Sequence, residues 1–140
     1  MSNKTIFATL ALGAAIAFAG PAYAEKMKAT LDGKSEVPAN TSAGTGTADI
    51  DYDAASKKLS WKVTYSGLSG PATAAHFHGP AEAGKNAGVA VPIANIASSP
   101  AEGSATLTDA QAADLAAGKY YVNIHTAANP GGEIRGQVTK

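Results

Sequence analysis

Apolar and polar residues alternate one for one along two neighbouring stretches of the chain. From Thr47 to Tyr52, Ala48, Ile50 and Tyr52 fall on one parity and Thr47, Asp49 and Asp51 on the other. From Lys58 to Ser66, Leu59, Trp61, Val63 and Tyr65 alternate with Lys58, Ser60, Lys62 and Thr64. A period of two marks a strand with one buried face, because successive side chains of an extended chain point to opposite sides. The polar stretch Asp53-Ala54-Ala55-Ser56-Lys57 between them predicts a turn, so the two strands form a hairpin. Trp61 is its predicted core anchor.

Weaker alternation, bounded by turn residues, predicts strands at Met27–Leu31, Thr73–His78, Val89–Ile93, Gly103–Leu107, Lys119–Thr126 and Glu133–Thr139. Pro92 keeps the third of these short, since it has no N–H for a ladder. Asn129-Pro130-Gly131-Gly132 predicts a tight turn, making the last two strands a second hairpin. Gly33–Gly46, rich in Ser, Thr, Gly and Pro, reads as a loop or an irregular edge. One segment breaks the pattern. Thr108 followed by Gln111 forms a capping box, alanines fill the body, and Gly118 is placed to stop a short helix near 108–117. The predicted fold is all-β: an antiparallel, Greek-key-like β-sandwich with that one helix.

The first 24 residues have a different character. Lys4 gives a positive start, Ile6 to Ala19 is an apolar run, and Ala22-Tyr23-Ala24 is a cleavage site of the A-x-A type. This predicts a secretory signal peptide over residues 1–24, with residues 25–140 as one domain. The run is short for a membrane span, and no second one follows, so no integral membrane segment is expected after cleavage. The expected location is the periplasm or the medium. The chain has no cysteine, so neither disulfides nor a lipid-bearing cysteine is expected. Removing 24 of 140 residues leaves 116, enough for one modest core. Eleven basic residues face eleven acidic ones, and without Lys4 the domain has one excess acid. These charges are interspersed, with no basic patch carrying aromatics, so nucleic acid is not an expected partner. An extracytoplasmic protein partner is left open.

All three histidines lie in predicted strands. His76 and His78 are i and i+2, so they project side by side with Phe77 opposite. In Tyr121-Val122-Asn123-Ile124-His125, Val122 and Ile124 read as core-facing, which places Asn123 and His125 on the other side. The three imidazoles then share the outer face of one sheet if the two strands are neighbours. Imidazole suits copper and zinc, so His76, His78 and His125 are the candidate metal ligands, with copper favoured. Asn123, Glu133 and Arg135 are candidates to orient the rings from behind. The plainer readings are hydrogen-bonded surface histidines, and a cross-strand ion pair or solvated face for Glu133 and Arg135. Asp49, Asp51 and Asp53 read as solvent-facing. No Ser-His-Asp spacing, nucleophile elbow or phosphate-cradling glycine loop occurs, so no catalytic residue is expected.

The segments Ala75-His76-Phe77-His78-Gly79-Pro80-Ala81, Tyr120 to Thr126 and Pro130 to Gln137 resemble the CHRD domain, the module named after chordin. Ala29 to Gly33, Glu36-Val37-Pro38 and Gly44 to Ala48 are similar too, so the likeness runs from about Lys28 to Val138. It implies a secreted or extracytoplasmic β-sandwich and no general activity. A His-x-His strand in an exported β-sandwich is also similar to copper–zinc superoxide dismutases. Those enzymes use more histidines, one of them bridging, and a disulfide; three histidines and no cysteine do not supply a zinc subsite. The functional expectation is therefore a binding module with a histidine metal site. The alternatives are a metal-free structural or adhesive module of the envelope or matrix, and last a copper-dependent enzyme of dismutase type.

Overall fold

Trp61 and Phe77 meet edge to face, with ring centroids 5.2 Å apart, and this contact defines the architecture. A computed structural model describes residues 13–14 and 23–140. The expected leader lies outside the described residues, apart from 13, 14, 23 and 24. The strands are β1 (Glu25–Asp32), β2 (Thr45–Asp53), β3 (Lys58–Ser66), β4 (Ala72–His78), β5 (Val89–Pro92), β6 (Ala101–Thr106), β7 (Tyr121–Thr126) and β8 (Ile134–Gln137). Among the described residues there is one helix, α1 (Asp109–Ala116), which precedes β7.

The strands form a single antiparallel sheet in the order β5-β4-β7-β8-β1-β2-β3-β6. Trp61 on β3 and Phe77 on β4 stand far apart in that order, yet they touch. The sheet must therefore fold back on itself, with β5-β4-β7-β8 facing β1-β2-β3-β6. At the seam between the halves Asp32 of β1 pairs with Arg135 of β8, and Lys28 exchanges both backbone hydrogen bonds with Thr139 just beyond it. This is the expected all-β antiparallel fold, its two layers joined by hydrogen bonds into one sheet.

The predicted β2–β3 hairpin is present, with Ile50 opposite Trp61 and Asp53, expected in the turn, opposite Lys58. Its apolar parity is buried: Ile50, Leu59, Trp61 and Val63 join Leu31, Phe77, Val122, Ile124 and Ile134 in one core. Burying one such side chain is worth about 1.5–3 kcal/mol, so the shared core is the main stabilising term. The helix has the predicted start. Thr108 Oγ1 accepts from Gln111 N, and Gln111 Oε1 accepts from Thr108 N. It buries Leu115 and anchors edge strand β5 through Gln111 Nε2, which donates to the Ala90 carbonyl at 3.0 Å.

Candidate metal centre

Strands β4 and β7 are neighbours, which is the condition the histidines needed. Across β4, β7 and β8 the outer face reads in rows: Ala74 beside His125, His76 beside Asn123 and Arg135, and His78 beside Tyr121 and Gln137. His76 is thus diagonal to His125, and Asn123 lies amid the three rings. Directly opposed and diagonal side chains on one face are within mutual reach. Val122, Ile124 and Phe77 fill the other face and are fully buried, so packing fixes the parity.

The outer face is not a solvent face. His78 is only 8% exposed, while His76 and His125 are half-buried. Two loops close over it: residues 79–88, between β4 and β5, and residues 33–44, between β1 and β2. Asn86 Nδ2 donates to the Val37 carbonyl at 3.2 Å and ties the loops together.

Backbone carbonyls set two of the three imidazole tautomers. His125 Nδ1 faces the Pro130 carbonyl at 2.8 Å, and His78 Nδ1 faces the Ala87 carbonyl at 3.0 Å. A carbonyl only accepts, so each Nδ1 carries the proton and each Nε2 keeps its lone pair in the neutral ring. His125 Nε2 lies 3.1 Å from His76 Nδ1. Each histidine offers a nitrogen within 4.8 Å of the others, so a common centre lies no farther than about 2.8 Å from each, against metal–nitrogen bonds of ~2.0–2.1 Å. Burial, first, and then the neighbouring His125 and His78 hold the His76 pKa below its ordinary value. Burial also lowers that of His78, against the opposing pull of Ala87 and Asn123. Both rings therefore stay neutral to lower pH than usual, and the neutral ring is the ligand form.

The three residues expected behind the rings divide. Asn123 is buried, and its Oδ1 lies 2.8 Å from His78 Nε2. Arg135 does not touch His78 and acts on it through Tyr121 and the 85–87 segment. Its guanidinium sits 3.5 Å from the Tyr121 ring centre, and the His78 ring stacks on Tyr121 at 4.8 Å and 5°. Arg135 also donates to Asn86 Oδ1 at 2.8 Å and to the Lys85 carbonyl. Glu133 is turned away from the histidines. Its carboxylate accepts from Ser42 Oγ, Ser69 N and Oγ, Thr126 Oγ1 and Asn129 Nδ2. Glu133 and Arg135 are thus buried. They are neither solvated nor paired with one another, because the loops cap this face and supply neutral partners.

Glu36 was not read from the sequence. It is 6% exposed, and its Oε1 makes no hydrogen bond. Burial pushes its pKa up to about 7, against the pull of Arg135 and Asn123. A signal was present: Glu36 is the only charge between Lys34 and Asp49, in an otherwise neutral polar loop. A cleft of about 470 Å³ lies on β1 and β2, lined by Lys26, Lys28, Asp49 and Asp51, and contains none of the histidines.

Fold and cluster together define a small all-β domain with three convergent imidazoles. A sequence model of the CHRD domain matches residues 27–138, so this chain belongs to the CHRD domain family. No curated protein and no solved structure matches the chain significantly. Among the described residues no helix is long and apolar enough to cross a membrane.

Proposed function

We propose that this CHRD domain is an exported binding module that holds a transition metal, copper before zinc, on His76, His78 and His125. The carrying observation is the proton count. With Nδ1 of His78 and His125 committed to backbone carbonyls, two Nε2 lone pairs and His76 Nδ1 converge with one proton to share. Two nitrogens bound to one ion at ~2.0–2.1 Å stand about 2.9 Å apart when square-planar and ~3.4 Å apart when tetrahedral. The 3.1 Å between His76 and His125 falls in that interval. The carbonyls act as the outer partners that metal-bound histidines ordinarily have. Copper(II) exceeds zinc in intrinsic affinity for such a donor set, which favours copper.

The test is titration of residues 25–140 with Cu(II), Cu(I) and Zn(II), each against a chelator of known affinity, beside a His76→Ala/His78→Ala variant. Tight one-to-one binding, lost in the variant, is expected. Equal binding by both proteins, or by neither, removes the metal reading. That result would leave the metal-free structural or adhesive module. Export is tested by the mature N-terminus, expected at Glu25.

A further inference from the structure

The contact between His78 and Asn123 is the wrong kind for a metal-free site. With its proton on Nδ1, neutral His78 presents a lone pair at Nε2. The atom facing it at 2.8 Å is Asn123 Oδ1, also an acceptor. The amide orientation is set from behind. Asn123 Nδ2 points toward the Gly131 carbonyl at 3.4 Å and lies beside Glu36 Oε1. The Gly131 carbonyl only accepts, and the Glu36 carboxyl keeps an acceptor oxygen in either protonation state, so the amide nitrogen belongs on their side and the oxygen on the histidine side. Two lone pairs then confront each other over 2.8 Å, in a place where Asn123 is 3% exposed and water is nearly excluded. Two donors held in cis positions on one ion stand about 2.9 Å apart at ordinary bond lengths.

We propose that Asn123 Oδ1 is a fourth donor of the metal centre and that Glu36 is the positioning residue that points it there. The centre is then three imidazole nitrogens and one amide oxygen. That donor set favours a divalent ion, Cu(II) or Zn(II), over Cu(I), because a hard carbonyl oxygen suits the soft monovalent ion poorly. Glu36 needs only an acceptor oxygen for this role, so either protonation state serves. Its Oε1 is buried without a hydrogen bond beside Asn123 Nδ2, and the loop carrying it is tied down at Val37. Gly132 makes the approach possible. A Cβ at that position would collide with both Glu36 Oε1 and Asn123 Nδ2. The inference rests on the metal reading above.

The experiment measures Zn(II) and Cu(II) affinity of the domain and of Asn123→Ala, Asn123→Asp, Glu36→Ala and Glu36→Gln, with near-ultraviolet circular dichroism as the fold control. Asn123→Ala and Glu36→Ala are expected to weaken binding about tenfold or more, the range seen when groups around a metal are removed. Asn123→Asp, which puts a carboxylate oxygen in place, is expected to bind at least as tightly as the parent. Glu36→Gln keeps an acceptor and is expected to stay within about threefold. A readout on the unaltered protein covers the case in which a variant fails to fold. On Zn(II) addition the Asn123 side-chain amide resonances should shift more than those of Asn40, Asn86 and Asn129. If the domain binds metal but those resonances stay still, or Asn123→Ala binds within twofold, the fourth donor is refuted while the histidine site stands. If Glu36→Gln is as weak as Glu36→Ala, the positioning role falls. A parent domain that binds neither ion refutes both the histidine site and this extension of it.

Discussion

At the scale of single residues, the centre depends on one position that must lack a side chain. Gly132 has φ +129°, a conformation that L side chains rarely adopt, and it stands where Glu36 and Asn123 meet. Gly132→Ala therefore has to strain the backbone and push both side chains apart. The expected cost is about 2 kcal/mol, within the ~1–3 kcal/mol of a misplaced backbone conformation, seen as a lower urea midpoint with an unchanged slope. Because the new methyl displaces Asn123, metal affinity should fall as well. A variant as stable as the parent would show that the turn relaxes and that the close approach has no energetic weight.

At the scale of elements, Glu133 is the clamp that holds the outer-face loops. It draws on Ser42 from the β1–β2 loop, Ser69 from the β3–β4 connection, Thr126 at the end of β7 and Asn129 in the turn before β8. Burial alone would raise its pKa, but the hydrogen bonds from Ser69, Thr126 and Ser42 to the ionised form outweigh burial and hold it at about 2. The folded value lies below the ordinary 4.5. The contribution is therefore complete above that value and lost as pH falls from 4.5 toward 2. Glu133→Gln should cost about 2–3 kcal/mol at pH 7, by leaving buried donors without an acceptor. Urea unfolding from pH 7 to pH 2 should show the two proteins converging as the parent carboxylate protonates. A gap that stays constant with pH would mean that the charge of Glu133 plays no part.

The same scale explains what was legible in advance. Alternation located the β2–β3 hairpin and its buried parity, and the Thr108–Gln111 pair located the helix start, because both are written in neighbouring residues. Parity placed His76, His78 and His125 on one face for the same reason. The burial of that face was not legible, since it comes from residues 33–44 and 79–88, which have no period and are fixed by contacts such as Asn86 with Val37. Glu133 and Arg135 read as an ion pair or a solvated face, and only the loops make them interior charges without each other as partners. Strand order was hidden likewise. The pairings of β3 with β6 and of β1 with β8 join distant segments, and alternation carries no information about partners.

At the scale of the whole molecule, the three histidines converge only in the folded chain. His76 and His125 are 49 residues apart in sequence and 3.1 Å apart in the fold. Bringing them together requires β4 and β7 to pair across the intervening β5, β6 and α1. The unfolded chain offers a metal at most the local His76–His78 pair. An ion that prefers the folded state stabilises it by mass action, about 2.7 kcal/mol at a free concentration a hundredfold above Kd. For a domain of this size that raises Tm by roughly 10 °C. Calorimetry with Cu(II) or Zn(II) should show such a rise, reversed by a chelator and growing with the logarithm of free metal. His125→Ala should abolish most of it, because it removes one of the imidazoles that only folding brings to the His76–His78 pair. A rise of equal size in His125→Ala would mean that His125 contributes nothing to the site, and that its approach to His76 serves the fold alone.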